Sequence, residues 1–232
     1  PYVEKALREE KLRTNWDNTN DAYEQAVLGY VSHLFHDARF LADFTRSLQP
    51  FIRAGLLNSL TQTLIKLAAP GVPDIYQGSE ALNFSLVDPD NRRAPDYAAL
   101  ASMLGESNAP LVFDDDGLRS GKLKQHLIAK LLHLRLQKAP LFQLGEYLPL
   151  TPTGEHGRQV IAFARLHADE ALIVIVPRLL FHAEHNYWEA TEVMLPALLA
   201  GRRYQDVLTG ETLTLTDKIV LDEHTPMRVL SG

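Results

Sequence analysis

The sequence predicts an α+β chain, helical over residues 1–139 and built of short strands in series from residue 140. Two observations carry this. In the first part apolar residues recur at helical spacing, as in Leu123, Leu127, Leu131 and Leu134. In the second they gather in short β-branched or alternating runs with turn residues between them. Strands that follow one another without crossover helices predict an antiparallel sandwich.

Taken in order, Pro1 to Leu12 reads at once as a charged amphipathic helix, without initiator Met or signal peptide, which suggests a cut inside a longer protein. Asn20 is expected to cap a helix carrying Tyr23, Val27, Tyr30, Val31 and Leu34, and another follows through Phe51, Leu56, Leu60, Leu64 and Leu67; each should bury one face. The pattern breaks at Ala69-Pro70-Gly71-Val72-Pro73, and Asp74 to Gly78 reads as a short strand closed by glycine. Ser79 to Pro95 is a long polar loop of the kind that is usually functional or disordered, and its Asp, Asn and Arg content favours function. A helix over 97–104 and a solvated linker containing Asp114-Asp115-Asp116-Gly117 lead to a helix from Lys122 to Lys138, whose apolar residues include Leu136 and which Pro140 ends. Strands are expected at 159–166, 171–176, 191–195, 204–208, 212–216, 219–221 and 227–230.

Composition narrows the partners. With 46% hydrophobic and 22% charged residues the chain is an ordinary globular protein. A net charge of −6 argues against nucleic acid or an anionic membrane surface, since phosphate binding needs an excess of Lys and Arg on one face. An uncharged polar ligand such as a sugar fits better. There is no Cys, which removes disulfide and thiolate chemistry and is compatible with a cytoplasmic location. No apolar stretch approaches the ~20 residues of a membrane span.

Three segments resemble a known family. Ala69 to Glu80, APGVPDIYQGSE, is similar to the eighth-strand motif of the α-amylase family, whose members are (β/α)8 barrels acting on α-glucosides. Its continuation, Phe84 to Arg93, FSLVDPDNRR, resembles the malto-oligosyltrehalose synthases within that family. Lys11 to Glu24, KLRTNWDNTNDAYE, is similar to a further stretch of those enzymes. The resemblance runs along essentially the whole chain, with departures at Asn15, Thr19, Ala81-Leu82-Asn83 and Ala94. It implies that residues 1–139 are the C-terminal part of a catalytic (β/α)8 barrel with a helical insertion, strand eight at Val72 to Tyr76 and the last barrel helix at 122–138, and that residues 140–232 are a C-terminal β-sandwich domain. It also implies an intramolecular transglucosylation on maltodextrins, with no cofactor and no metal. The family's Asp nucleophile, Glu acid/base and stabilising Asp should all precede this chain, so no catalytic residue is expected within it.

The candidate substrate-binding residues are Trp16, Tyr76, Gln77, Glu80, Asp88, Asp90, Asn91, Arg92 and Arg93. Carboxylates, amides and guanidinium forks are directional partners for sugar hydroxyls, and loops at the C-terminal face of a barrel commonly line its site. The competing reading of 88–93 is a loop stapled by its own ion pairs and Asx turns. Tyr76 and Trp16 offer rings that stack on a glucose or anchor packing. His182 and His185 lack the further ligands a zinc site needs, and the acidic run at 114–116 lacks the spaced oxygens of a calcium loop. Two other readings remain: a non-catalytic carbohydrate-binding or structural module, and an α-glucan hydrolase. If the N-terminal barrel portion is missing, strand eight is left with open edges and the helical part is expected to pair as a non-native homodimer.

Overall fold

In a computed structural model the protein is described over residues 2–86, 93–105, 109–182, 188, 190–221 and 226–232. It divides into two compact units, Pro1–Ile52 and Arg53–Gly232.

The first unit holds α1 (Tyr2–Glu10), α2 (Asp21–Leu34) and the first half of α3 (Ala38–Ala68). Asn20 caps α2, its side chain accepting from the Tyr23 amide at 3.2 Å, which satisfies one of the four N–H groups a helix start leaves open. Thr14 and Glu24 are the buried side chains among the described residues of this unit. The apolar stripe of α2 is therefore half-buried rather than buried, and Tyr30 and Phe51 are exposed. The helices contribute polar groups to what is enclosed here, so their amphipathic faces overstate the core.

The second unit starts in the middle of α3, whose buried residues run from Ala54 to Ala68. It continues through α4 (Tyr97–Leu104), α5 (Asp115–Ser120), α6 (Lys122–Gln137) and α7 (Ala139–Leu144) to nine strands among the described residues. The Asp114 run is a helix start rather than a linker: its carboxylate accepts from the Gly117 amide at 2.7 Å and caps α5. A capping Asp needs only the next few residues to turn, which a run of charges conceals. Leu136 is exposed, and α6 buries Leu123, Leu127, Ile128, Leu131 and Leu134 instead.

Strands β1 (Glu146–Leu150), β3 (Val160–His167), β4 (Glu170–Pro177), β6 (Arg203–Asp206), β7 (Thr212–Thr214) and β9 (Arg228–Ser231) form a six-stranded sheet in the order β1-β3-β4-β9-β6-β7. Strands β2 (Pro152–Gly154), β5 (Thr191–Met194) and β8 (Lys218–Val220) form a second sheet in the order β2-β5-β8. Every pairing is antiparallel. Pro149 and Pro152 lie in edge strands, where a missing N–H costs no ladder bond. β4 is buried from Ala171 to Pro177 because strands flank it on each side and both faces are covered, so its run is continuous rather than alternating. One apolar cluster joins Leu64, Leu67, Leu127, Leu131 and Leu141 to the strand residues. The Thr61 hydroxyl donates to the Pro177 carbonyl at 3.1 Å and ties α3 to the end of β4.

The strand expected over 72–76 is absent: these residues form no ladder with any described strand. A strand exists through its partner's N–H and C=O groups, and here side chains take the carbonyls instead.

Candidate functional site

A cavity of about 550 Å³ opens in the second unit between the backbone of 77–85, residues 93–96, the face of α4 carrying Ala99, Leu100 and Met103, and Ser120. Local structure shapes it. Gly78 has φ +85°, and a Cβ there would lie 3.1 Å from the Pro95 side chain, so the turn demands glycine. At the far wall Gly121 has φ +80°, and a Cβ would meet the Leu82 amide nitrogen at 2.8 Å, which lets the start of α6 approach the loop backbone. Asp96 caps α4 by accepting from the Ala99 amide at 2.9 Å.

The polar chemistry is directional and mixes neutral amides with charged side chains. Gln77 accepts through Oε1 from the Tyr97 hydroxyl at 2.9 Å, which aims its amide nitrogen elsewhere. Asn83 accepts from the Ser85 amide at 2.8 Å. Arg93 contributes a guanidinium and Phe84, 79% exposed, an uncovered aromatic ring. Amide and guanidinium donors, a carboxylate and a bare ring suit a polyhydroxylated ligand, and the volume lies in the range of small-molecule pockets.

The sequence-derived set is thus partly assembled. Gln77 and Arg93 line the cavity together. Tyr76 is exposed beside it, and Glu80 is half-buried with Oε2 enclosed and without a hydrogen-bond partner. Asp88, Asp90, Asn91 and Arg92 lie outside the described residues, as does the 183–187 stretch with His185. Trp16 belongs to the first unit, where its Nε1 donates to Glu9 at 3.1 Å and the Arg8 guanidinium lies 5.1 Å from the ring centroid. Lining residues that sequence reasoning left out are Asn83, Phe84, Asp96 and Ser120. An aromatic inside a long polar loop was the available signal for Phe84.

Beneath the cavity wall, Lys124 donates to the Ala81 carbonyl at 3.1 Å. Burial pushes its ammonium down, the positive Lys66 adds to this, and Glu80 opposes it. In the first unit, Arg8 binds both oxygens of Glu24, at 3.0 and 2.8 Å, and the Thr14 hydroxyl donates to Oε1 at 2.5 Å. Those bonds hold the Glu24 carboxyl down at about 2. Among the described residues no group of three or more His, Asp or Glu is placed to hold a metal ion, and no helix is long and apolar enough to cross a membrane.

No protein-family model matches the chain. Curated relatives from two strains of Mycobacterium tuberculosis, named maltooligosyl trehalose synthase, are 33% identical over 211 residues, covering 91% of this chain. The chain spans 25% of their length. Among solved structures, a maltooligosyl trehalose synthase matches with TM-score 0.77 and 31% identity, covering 99% of this chain and 30% of that one. The Arthrobacter ramosus enzyme matches with TM-score 0.82 and 29% identity, covering 97% of this chain and 28% of its own. An Anoxybacillus α-amylase shares the fold at TM-score 0.52 and 21% identity, over 81% of this chain and 34% of the amylase. Over the quarter of their length that it spans, the chain therefore belongs to the family of the maltooligosyl trehalose synthases.

Proposed function

We propose that this chain is the C-terminal part of an enzyme that turns the reducing-end α-1,4 bond of a maltodextrin into an α,α-1,1 bond by intramolecular transglucosylation, in trehalose biosynthesis. The observation that carries the reading is the 33% identity sustained over 91% of the chain to relatives named for this enzyme. On this reading residues 1–139 complete a (β/α)8 barrel with its helical insertion, residues 140–232 form a β-sandwich domain, and the protein works in the cytoplasm. The three catalytic carboxylates lie upstream.

In a retaining mechanism the Asp nucleophile takes the glucan at its anomeric carbon while the Glu protonates the departing glucose oxygen. The released glucose then turns, and its 1-hydroxyl attacks the same carbon, returning its proton to the Glu. Water in place of that hydroxyl would give hydrolysis, so the site must hold the glucose and exclude solvent. The part of this chain is to shape that enclosure: Gln77, Phe84 and Arg93 line the cavity, and Trp16, Tyr76, Glu80, Asp88, Asp90, Asn91 and Arg92 remain candidate contacts.

Incubation with maltopentaose tests the reading, using the 232-residue chain and the full-length protein in parallel. The full-length protein is expected to consume reducing ends without releasing glucose, giving a non-reducing isomer, while the 232-residue chain does not turn over. Turnover by the shorter chain would overturn the upstream placement of the carboxylates. Glucose release by the full-length protein as its main product would make it a hydrolase.

A further inference from the structure

The cavity wall is built from backbone that has no regular structure. Residues 69–86 form neither helix nor strand, yet they run directly into the wall at Gln77. Backbone groups that lack a ladder must find other partners, and a segment without partners drifts. Here three carbonyls are taken by cationic side chains from two helices. Arg135 donates to the Gly71 carbonyl at 3.0 Å, Lys66 to that of Asp74 at 2.8 Å, and Lys124 to that of Ala81 at 3.1 Å. Arg135 also donates to Leu67 at 2.8 Å, so the segment is tied to the end of α3 at the same point.

The spacing gives these bonds a common purpose. Lys124 and Arg135 stand about three helical turns apart on α6, which returns them to one face of the helix. They grip the two ends of the segment, and Lys66, in the last turn of α3, grips it between them. Neither lysine has a carboxylate within ion-pair distance among the described residues, and Lys124 is partly buried. A partly desolvated ammonium without an ion-paired carboxylate is costly, and what Lys124 gains at this position is a main-chain carbonyl, with Glu80 favouring its charge from beyond ion-pair distance.

We infer that Arg135, Lys66 and Lys124 are positioning residues: they hold the backbone from Gly71 to Ala81 by its carbonyls, in place of strand pairing, and so fix the cavity wall that begins at Gln77. The functional side of this rests on the proposed glucan role of that cavity; the mechanical side does not.

The test uses Lys66→Met and Lys124→Met in the full-length protein, with Lys124→Arg as the conservative variant. Arg135 is left alone because its guanidinium also packs 4.8 Å from the Phe142 ring centroid and caps α3, so its loss endangers the fold. Two readouts are taken: amide hydrogen exchange over 71–86, and KM and kcat on maltopentaose. Each Met variant is expected to speed exchange over 71–86 by about tenfold, the size expected for losing one hydrogen bond of ordinary net strength, while the six-stranded sheet keeps its protection. KM should rise several-fold with a smaller change in kcat, and Lys124→Arg should restore both readouts. Unchanged exchange over 71–86 in both Met variants overturns the inference. Faster exchange with an unchanged KM supports the clamp and overturns the glucan reading of the cavity.

Discussion

Glu24 is the residue whose environment makes the sharpest solution prediction. Its carboxyl is held down from an ordinary 4.5 to about 2, first by the hydrogen bonds from Arg8 and then by that from Thr14. A carboxyl depressed in the folded state stabilises it fully above its unfolded value, and that contribution disappears as pH falls through the folded one. The first unit should therefore lose this support between about pH 4.5 and pH 2. Carbon-13 NMR of the Glu24 carboxyl would check this; a midpoint near 4.5 would mean that the Arg8 and Thr14 bonds do not persist in solution. Glu24→Gln should remove that acid step. The role of Glu24 was not legible from the sequence, where it is one acidic residue of a helix; it needs Arg8 and Thr14 brought in from outside that helix. Gln77 and Arg93 were legible as cavity residues because the resemblance pointed to their loop, whereas Ser120 was not, since it comes from a different element.

At the scale of elements, a single arginine fastens the helices to the sheet. Arg165 stands in β3 at 1% exposure and donates to the carbonyls of Ala68 at 3.3 Å, Leu141 at 3.2 Å, Phe142 at 3.1 Å and Gly145 at 2.9 Å. These are the end of α3, two residues of α7 and the turn after it, where a helix end leaves carbonyls short of donors; the Leu141 carbonyl also accepts from the Gly145 amide at 3.1 Å. Burial, reinforced by the nearby Arg135, pushes its pKa down, yet a guanidinium stays charged. Arg165→Met would take a charged donor from each of these carbonyls and should cost on the order of 3 kcal/mol in urea denaturation. Arg165→Lys should recover only part, because an ammonium lacks the planar fork that spans several acceptors. A Met variant as stable as the parent would show that water replaces the guanidinium. Other elements divide by how local their cause is. α6 was readable from Leu123, Leu127, Leu131 and Leu134, and β4 from its unbroken apolar run, because burial imprints both patterns directly. Strands β1 and β2 were not among the expected strands; each carries a proline, Pro149 and Pro152, and that both lie at sheet edges, where proline is tolerated, is a property of the whole sheet. The expected strand at 72–76 failed for the opposite reason: its local pattern is right and its partner is absent from the described residues.

For the molecule as a whole, the two units should differ in stability. Among the described residues Pro1–Ile52 buries only Thr14 and Glu24, whereas Arg53–Gly232 holds the joined apolar cluster. Exchange of amides in 2–52 is expected to run ahead of that in the six-stranded sheet, and the two tryptophans can report on this separately. Trp16 is 52% exposed in the first unit and Trp188 2% exposed in the second, so fluorescence of a Trp16→Phe variant follows the second unit alone. Coincident unfolding of the variant and of far-ultraviolet helicity would show one cooperative unit instead. The sheet order has a consequence for synthesis. β9 lies in the interior of the six-stranded sheet, between β4 and β6, although it follows both in the chain. While residues 228–231 are still inside the ribosome, one edge of β4 and one of β6 have no neighbour. From the completion of β6 until β9 emerges the nascent protein thus carries two open, sticky borders, and one strand, following every other strand of this sheet in the chain, seals both.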